Sequence, residues 1–400
     1  MCGKMVVILV IAIAATFLGT SRLSLAQGVE KLLIPPEETI KEAQTKVARV
    51  RNFLKEKGFD GLLITQERNF EWVTGGKKAE IVISREACPV KLLIMKDEQY
   101  VVSPNNESSR VTEEELPGLG YKLLEFPWHD KDESVLGPFT SKNKICCDSA
   151  YPGATEIKDF YQLYYPLTET EIKKLKWLGR VCVGIVEEVA RQVKPGQTEN
   201  DVKAMLTAKF AQHNINPTVQ LIGADARLMK YRHSVATDNP IKNYLMIIIC
   251  AKKWGQIVAF TRSVHFGPVP EDGRKKFEAA TRVMAAELSA SKPGTTLGEI
   301  LNVAMKTYET CGFPGEWRLH HQGGPMTYME RDIVSTPNSS VKLGAGSCVA
   351  YNPTVQGWKN EDTYLVTDEG VTNITPCINW PTFKVTEGGV TYTCADMLVR

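Results

Sequence analysis

An excess of charge of either sign is missing from this chain. Its 400 residues carry 48 lysines and arginines against 46 aspartates and glutamates, a formal net charge of +2. Nucleic-acid binders normally show a marked basic surplus, so that class loses its usual support. The Gly-x-Ser-x-Gly elbow, the phosphate-binding loop and a GxGxxG before a helix are absent too, which removes the common signatures of serine hydrolases and nucleotide enzymes. No CxxC or other zinc spacing occurs among the 10 cysteines. Nine of them follow residue 26, an odd number, so at least one thiol has no intrachain partner. The expectation is buried small hydrophobes with one or two disulfides at most. What is present is ordinary: 43% hydrophobic and 24% charged residues, globular values in a chain long enough for two or three domains.

The N-terminus has its own logic. Lys4 precedes an apolar run from Met5 to Leu18, and Ser24-Leu25-Ala26 places small residues before a cut. This is the layout of a secretory signal peptide over residues 1–26. The run is 14 residues (5 through 18), short of the roughly 20 that span a bilayer. The expectation is an exported protein, periplasmic or extracellular, with no stable membrane span after cleavage; an uncleaved N-terminal anchor is the alternative.

Hydrophobic spacing organises the remainder. Ile40, Ala43, Val47, Val50 and Leu54 predict a helix over about 38–57, and Leu62 to Thr65 a buried strand. Further strands are predicted at 80–84, 90–95, 100–103 and 144–147, making residues 38–150 an α/β unit. A crossing at 151–166 leads to a second unit, residues 165–380. There Thr168 opens a long amphipathic helix that Lys194-Pro195-Gly196-Gln197-Thr198 ends, with a second helix behind Thr198. Lys292-Pro293-Gly294-Thr295-Thr296 repeats that turn 98 residues later (292 minus 194), again between two helices. Residues 244–250 with 255–263, and 346–352 with 361–367, read as strand pairs. Two similar halves of helices and an antiparallel ribbon predict an α+β domain.

These residues carry a family resemblance. Pro195-Gly196-x-Thr198-Glu199, the segment from His233 to Asn239-Pro240-Ile241, Gly255…Thr261-Arg262-Ser263 and Glu361-Asp362-Thr363 follow one another as in the creatinase/Xaa-Pro aminopeptidase superfamily. The resemblance implies a pita-bread C-terminal domain behind a smaller creatinase-like α/β domain. It also implies five ligands for two divalent metals: two aspartates, a histidine and two glutamates. By motif those slots fall on Ile248, Ala259, His321, Asn352 and Glu361, so only two retain a ligand type. Residues 244–263 contain no Asp or Glu that a shifted register could supply. Two metals about 3.5–4 Å apart need several anionic oxygens, so no metal pair and no resident cofactor is expected. At most one weakly held divalent ion is expected, at His321 and Glu361.

His233 matches the histidine that is the general acid/base in creatinase, and an imidazole suits that work near neutrality. The expected catalytic residues are therefore His233, His321 and Glu361, with His320, Tyr328 and Arg262 as substrate contacts. Tyr328 stands where the family places a second histidine. Each has a plainer reading: His233 as a backbone-bonded loop residue, Glu361 and Arg262 as a structural ion pair. Two functions stay open. One is a hydrolase of C–N bonds, acting on an Xaa-Pro peptide, small amide or guanidino compound. The other is a pseudoenzyme that binds a peptide or small ligand in the cleft. A homodimer is compatible with either.

Overall fold

The computed structural model describes residues 31–400. The signal segment read at residues 1–26 lies outside the described residues. Among those described, no helix is long and apolar enough to cross a membrane.

The first helix, Pro36–Lys57, begins with proline at its first positions, carries Glu37 and Glu38 in the first turn and Lys55 and Lys57 in the last, and stops at Gly58 with φ 69°. Each feature complements the helix ends: proline lacks the N–H that would go unpaired, and the charges oppose the dipole. The helix packs Val47, Val50 and Leu54 into a core shared with Leu62, Ile64, Leu92 and Ile94. Those belong to a six-stranded mixed sheet in the order 122–126, 99–104, 87–95, 61–66, 145–147, 155–156. The strand predicted at 80–84 does not form. Residues 67–86 leave the sheet as a helix, Glu67–Val73, and a loop, and Gln66 pairs directly with Ala87. With no neighbouring strand to bond, Ile81, Val82 and Ile83 lie exposed.

The second unit bears out the repeat. Thr168 caps the helix Glu169–Gln192 through a capping box with Glu171. Thr198 and Thr296 cap the helices Glu199–Gln212 and Leu297–Thr310 in the same way. At both Pro-Gly turns the glycine is left-handed, φ 92° at Gly196 and 91° at Gly294. Both glycine N–H groups donate to a returning chain, Gly196 to the Ile241 carbonyl and Gly294 to that of Leu343, each at 2.8 Å. A repeated sequence has made a repeated clasp.

Two four-stranded sheets follow. One runs in the order 398–399, 256–265, 244–253, 216–224; the other 323–325, 348–351, 362–367, 370–373. They meet where strand 256–265 faces the chain entering strand 362–367. There Thr261 N–H donates to the Glu361 carbonyl at 3.0 Å and Ala259 N–H to Thr363 Oγ1 at 2.9 Å. All nine cysteines of the described residues are free, seven of them buried. The reading as small hydrophobes holds, and the one or two disulfides allowed for do not form.

A buried charge network joins the two units. Lys46 Nζ lies 2.6 Å from Glu42 and 2.9 Å from Glu171, and Lys174 Nζ lies 2.6 Å from Glu42. Tyr328 closes it, donating to Glu171 at 2.7 Å and accepting from Lys46 at 3.1 Å. Removing one member leaves an uncompensated buried charge, which costs about 3–5 kcal/mol. Lys46→Met is expected to lower stability in urea titrations by that amount. Lys173→Met, which breaks only the exposed pair with Glu38, is expected to cost under about 1 kcal/mol.

Candidate functional site

The two ends of the 244–265 hairpin walls carry what the metal slots became. Ile248 and Ala259 are buried, 6% and 0% exposed, within apolar clusters. Neither offers a donor atom. Asn352, after strand Cys348–Tyr351, is buried with its Oδ1 unpartnered. An amide oxygen is neutral and gives a divalent ion none of the charge that a glutamate gives.

Glu361 has kept its carboxylate and lost its freedom. Lys359 Nζ lies 2.9 Å from Oε2 and Arg331 Nη2 2.9 Å from Oε1. Thr261 Oγ1 donates to Oε2 at 2.9 Å. Burial alone would raise its pKa; Lys359 and then Arg331 overturn that and hold it at about 2. Both oxygens are therefore engaged by fixed cations, so neither stands open toward the single ion expected at His321 and Glu361. The donor set does not fit the family's metal pair either.

Arg262 does not pair with Glu361. Successive strand residues point to opposite faces, so Arg262 meets Asp362 instead, Nη1 to Oδ1 at 3.0 Å, and its Nη2 donates to the Thr375 carbonyl at 3.0 Å. It is 1% exposed and structural, which corrects its expected role as a substrate contact. Tyr328 is likewise corrected: its hydroxyl is spent on the Lys46–Glu171 network, and tyrosine reaches a partner there that the shorter histidine ring would not.

The three histidines come together. His233 follows the short helix Ala226–Lys230, and His320 and His321 follow the turn Glu316–Leu319. His233 Nε2 and His320 Nε2 are 3.0 Å apart, and the His320 and His321 rings stack at 4.3 Å. Burial, Lys359 and the neighbouring imidazoles press His320 down to about 2; burial, Arg331 and Lys359 press His321 to about 4. His233 is exposed and lowered less, by burial and then Lys359. All three are neutral at pH 7. His321 Nδ1 accepts the Gly323 N–H at 3.3 Å, and His320 Nδ1 is buried without a partner.

Lys359 and Arg331 were missed in the sequence. Lys359 had a partial signal in lying only two residues before Glu361, across the short gap between strands 358–359 and 362–367. Arg331 had none, because only folding carries it to a residue 30 positions away.

A two-half fold with these slots in this order defines a pita-bread, peptidase-type protein. A model of metallopeptidase family M24 matches residues 173–368, and the chain has the fold of the M24 pita-bread superfamily. An uncharacterized peptidase of Staphylococcus aureus strain MW2 is 24% identical over 358 residues, 82% of this chain and 97% of its own. Among solved structures, an Xaa-Pro dipeptidase from Bacillus anthracis has a TM-score of 0.71 at 17% identity, covering 90% of this chain and 100% of its own. The N-terminal domain of the FACT complex subunit SPT16 from chickpea, Cicer arietinum, has a TM-score of 0.64 at 11% identity, covering 85% and 97%. At such identities the structures establish the fold alone.

The clamp on Glu361 has a pH signature. Its folded pKa lies below the usual 4.5, so the stability it contributes is present above about pH 4.5 and is lost as pH falls toward about 2. Chemical denaturation at pH 6 and pH 3 is expected to show this loss. In Glu361→Gln that part of the pH dependence disappears, and the two unpaired cations lower stability at pH 7 by about 3–5 kcal/mol.

Proposed function

We propose that this chain recognises a short Xaa-Pro-like peptide or small amide in the pita-bread cleft and does not hydrolyse it by two-metal catalysis. The observation that carries this reading is the engagement of both Glu361 oxygens by Lys359 and Arg331. Metal-assisted hydrolysis needs ions that polarise the carbonyl and activate water. Here the positive charges are fixed to the chain and already satisfied by a carboxylate. Ile248, Ala259 and Asn352 add no charge that could recruit others. The unpartnered Asn352 Oδ1, His320 Nδ1 and Arg331 Nε support a binding role. Each buried polar atom without a partner costs about 1–3 kcal/mol, which a peptide group or water offsets. That the fold also serves in a chain named as a complex subunit is consistent with binding without peptidase chemistry. Export through the 1–26 segment belongs to the same proposal and puts the ligand outside the cytoplasm.

A second reading has one observation in its favour. The His233–His320 contact gives the exposed His233 a neighbour that shares its proton, the arrangement a general base uses. Proton transfer alone supplies about 10²–10⁴-fold, so C–N hydrolysis would need oriented donors besides.

Proline release from Xaa-Pro dipeptides separates these readings. No turnover above buffer is expected with or without added Mn²⁺ or Co²⁺, while calorimetry detects dipeptide binding. Elemental analysis is expected to find no stoichiometric pair of metals. Mn²⁺-dependent turnover would refute the proposal. Metal-free turnover abolished in His233→Ala would establish the second reading.

A further inference from the structure

We infer that His233, His320 and His321 form a site for a single nitrogen-preferring divalent ion, of the Zn²⁺, Co²⁺ or Cu²⁺ type, at the rim of the cleft. Of the three only His321 falls on a slot of the family's ligand set, and the inference does not rest on the binding reading above. Among the described residues these three are the one group of histidines, cysteines or acids with donor atoms all within 4.8 Å of one another.

The geometry is close to that of a three-imidazole site. Zinc–nitrogen bonds of about 2.0–2.1 Å in tetrahedral array put the nitrogens roughly 3.3 Å apart. His233 Nε2 and His320 Nε2 already stand at 3.0 Å. In that contact one ring must give its proton to the other's lone pair. An ion replaces it by taking both lone pairs, once the donor ring moves its proton to its own Nδ1. His321 lies stacked on His320, and its Nδ1 spends its lone pair on the Gly323 N–H at 3.3 Å. That is a long hydrogen bond, and losing it costs little against a metal–nitrogen bond. Three neutral imidazoles and one open position are a ligand count used by catalytic zinc. Hard ions such as Mn²⁺ and Mg²⁺ prefer carboxylate and water, and are not expected here.

The surroundings define the fourth ligand. Lys359 and Arg331 share the one carboxylate of Glu361, leaving one positive charge in excess beside the histidines. That charge weakens binding of a bare cation and favours an anion in the open position. A carboxylate-bearing ligand therefore fits best, held by the ion on one side and attracted by the lysine and arginine on the other.

Co²⁺ titration of the purified full chain tests this, because tetrahedral cobalt reports its ligands in the visible spectrum. The expected result is d–d absorption saturating at one equivalent, no thiolate charge-transfer band, and competition by Zn²⁺ but not by Mn²⁺. Acetate is expected to tighten binding and perturb the bands. His320→Ala and the exposed His233→Ala are each expected to weaken Co²⁺ by more than about 100-fold, beyond the 10–100-fold typical of lost outer-shell partners. Thermal melts of His233→Ala matching the parent would exclude misfolding as the cause. No saturable d–d band, a thiolate band pointing to cysteine, or unchanged Co²⁺ affinity in both variants would overturn the inference.

Discussion

A buried carboxylate requires opposite charge, and at Glu361 that charge is built into the chain. Here Lys359 and Arg331 do the neutralising from 2.9 Å each. The consequence reaches the neighbours: Lys359 helps keep His320 unprotonated and, with Arg331, His321 too, so the cleft wall presents imidazole and not imidazolium. Ile248 and Ala259, at the positions where the resemblance would put aspartates, join the apolar packing. The buried carboxylate and its cations are therefore one unit. Either alone would leave a buried charge unmatched, at a cost of several kcal/mol.

Much of the fold was legible because it depends on local rules. The Pro-Gly-x-Thr turns announced both clasps: glycine was needed at φ near 91–92°, and threonine had to cap the following helix. The hairpin 244–265 was legible from two apolar runs around Lys252-Lys253-Trp254. The strand expected at 80–84 failed for a reason no local pattern contains. Apolar alternation makes a strand only where a neighbour offers backbone bonds, and the 67–86 excursion passes beyond the sheet.

The site was legible in its losses more than in its gains. An absent aspartate can be read at its slot, so Ile248 and Ala259 were visible from spacing. A compensating charge can come from anywhere that folding brings near. Arg262 illustrates the limit: adjacent to the right residues in every motif, it was paired with Glu361, and strand alternation instead gave it Asp362. Tyr328 shows the same limit over a longer range, since its partners Lys46 and Glu171 lie in two different helices.

The Lys46–Glu171–Tyr328 network separates what joins the two units from what lines the cleft. The joint between the two units is held by Glu42, Lys46, Lys174, Glu171 and Tyr328, all buried. It stands on the helix side of the second unit, whereas Glu361 stands where the two sheets meet. Tyr328, which the resemblance placed among the substrate contacts, stands in the joint. Its hydroxyl both accepts, from Lys46, and donates, to Glu171. A buried hydroxyl bonded on both sides leaves no polar atom unmatched in the joint, which is the condition for a buried polar network to stabilise and not to cost.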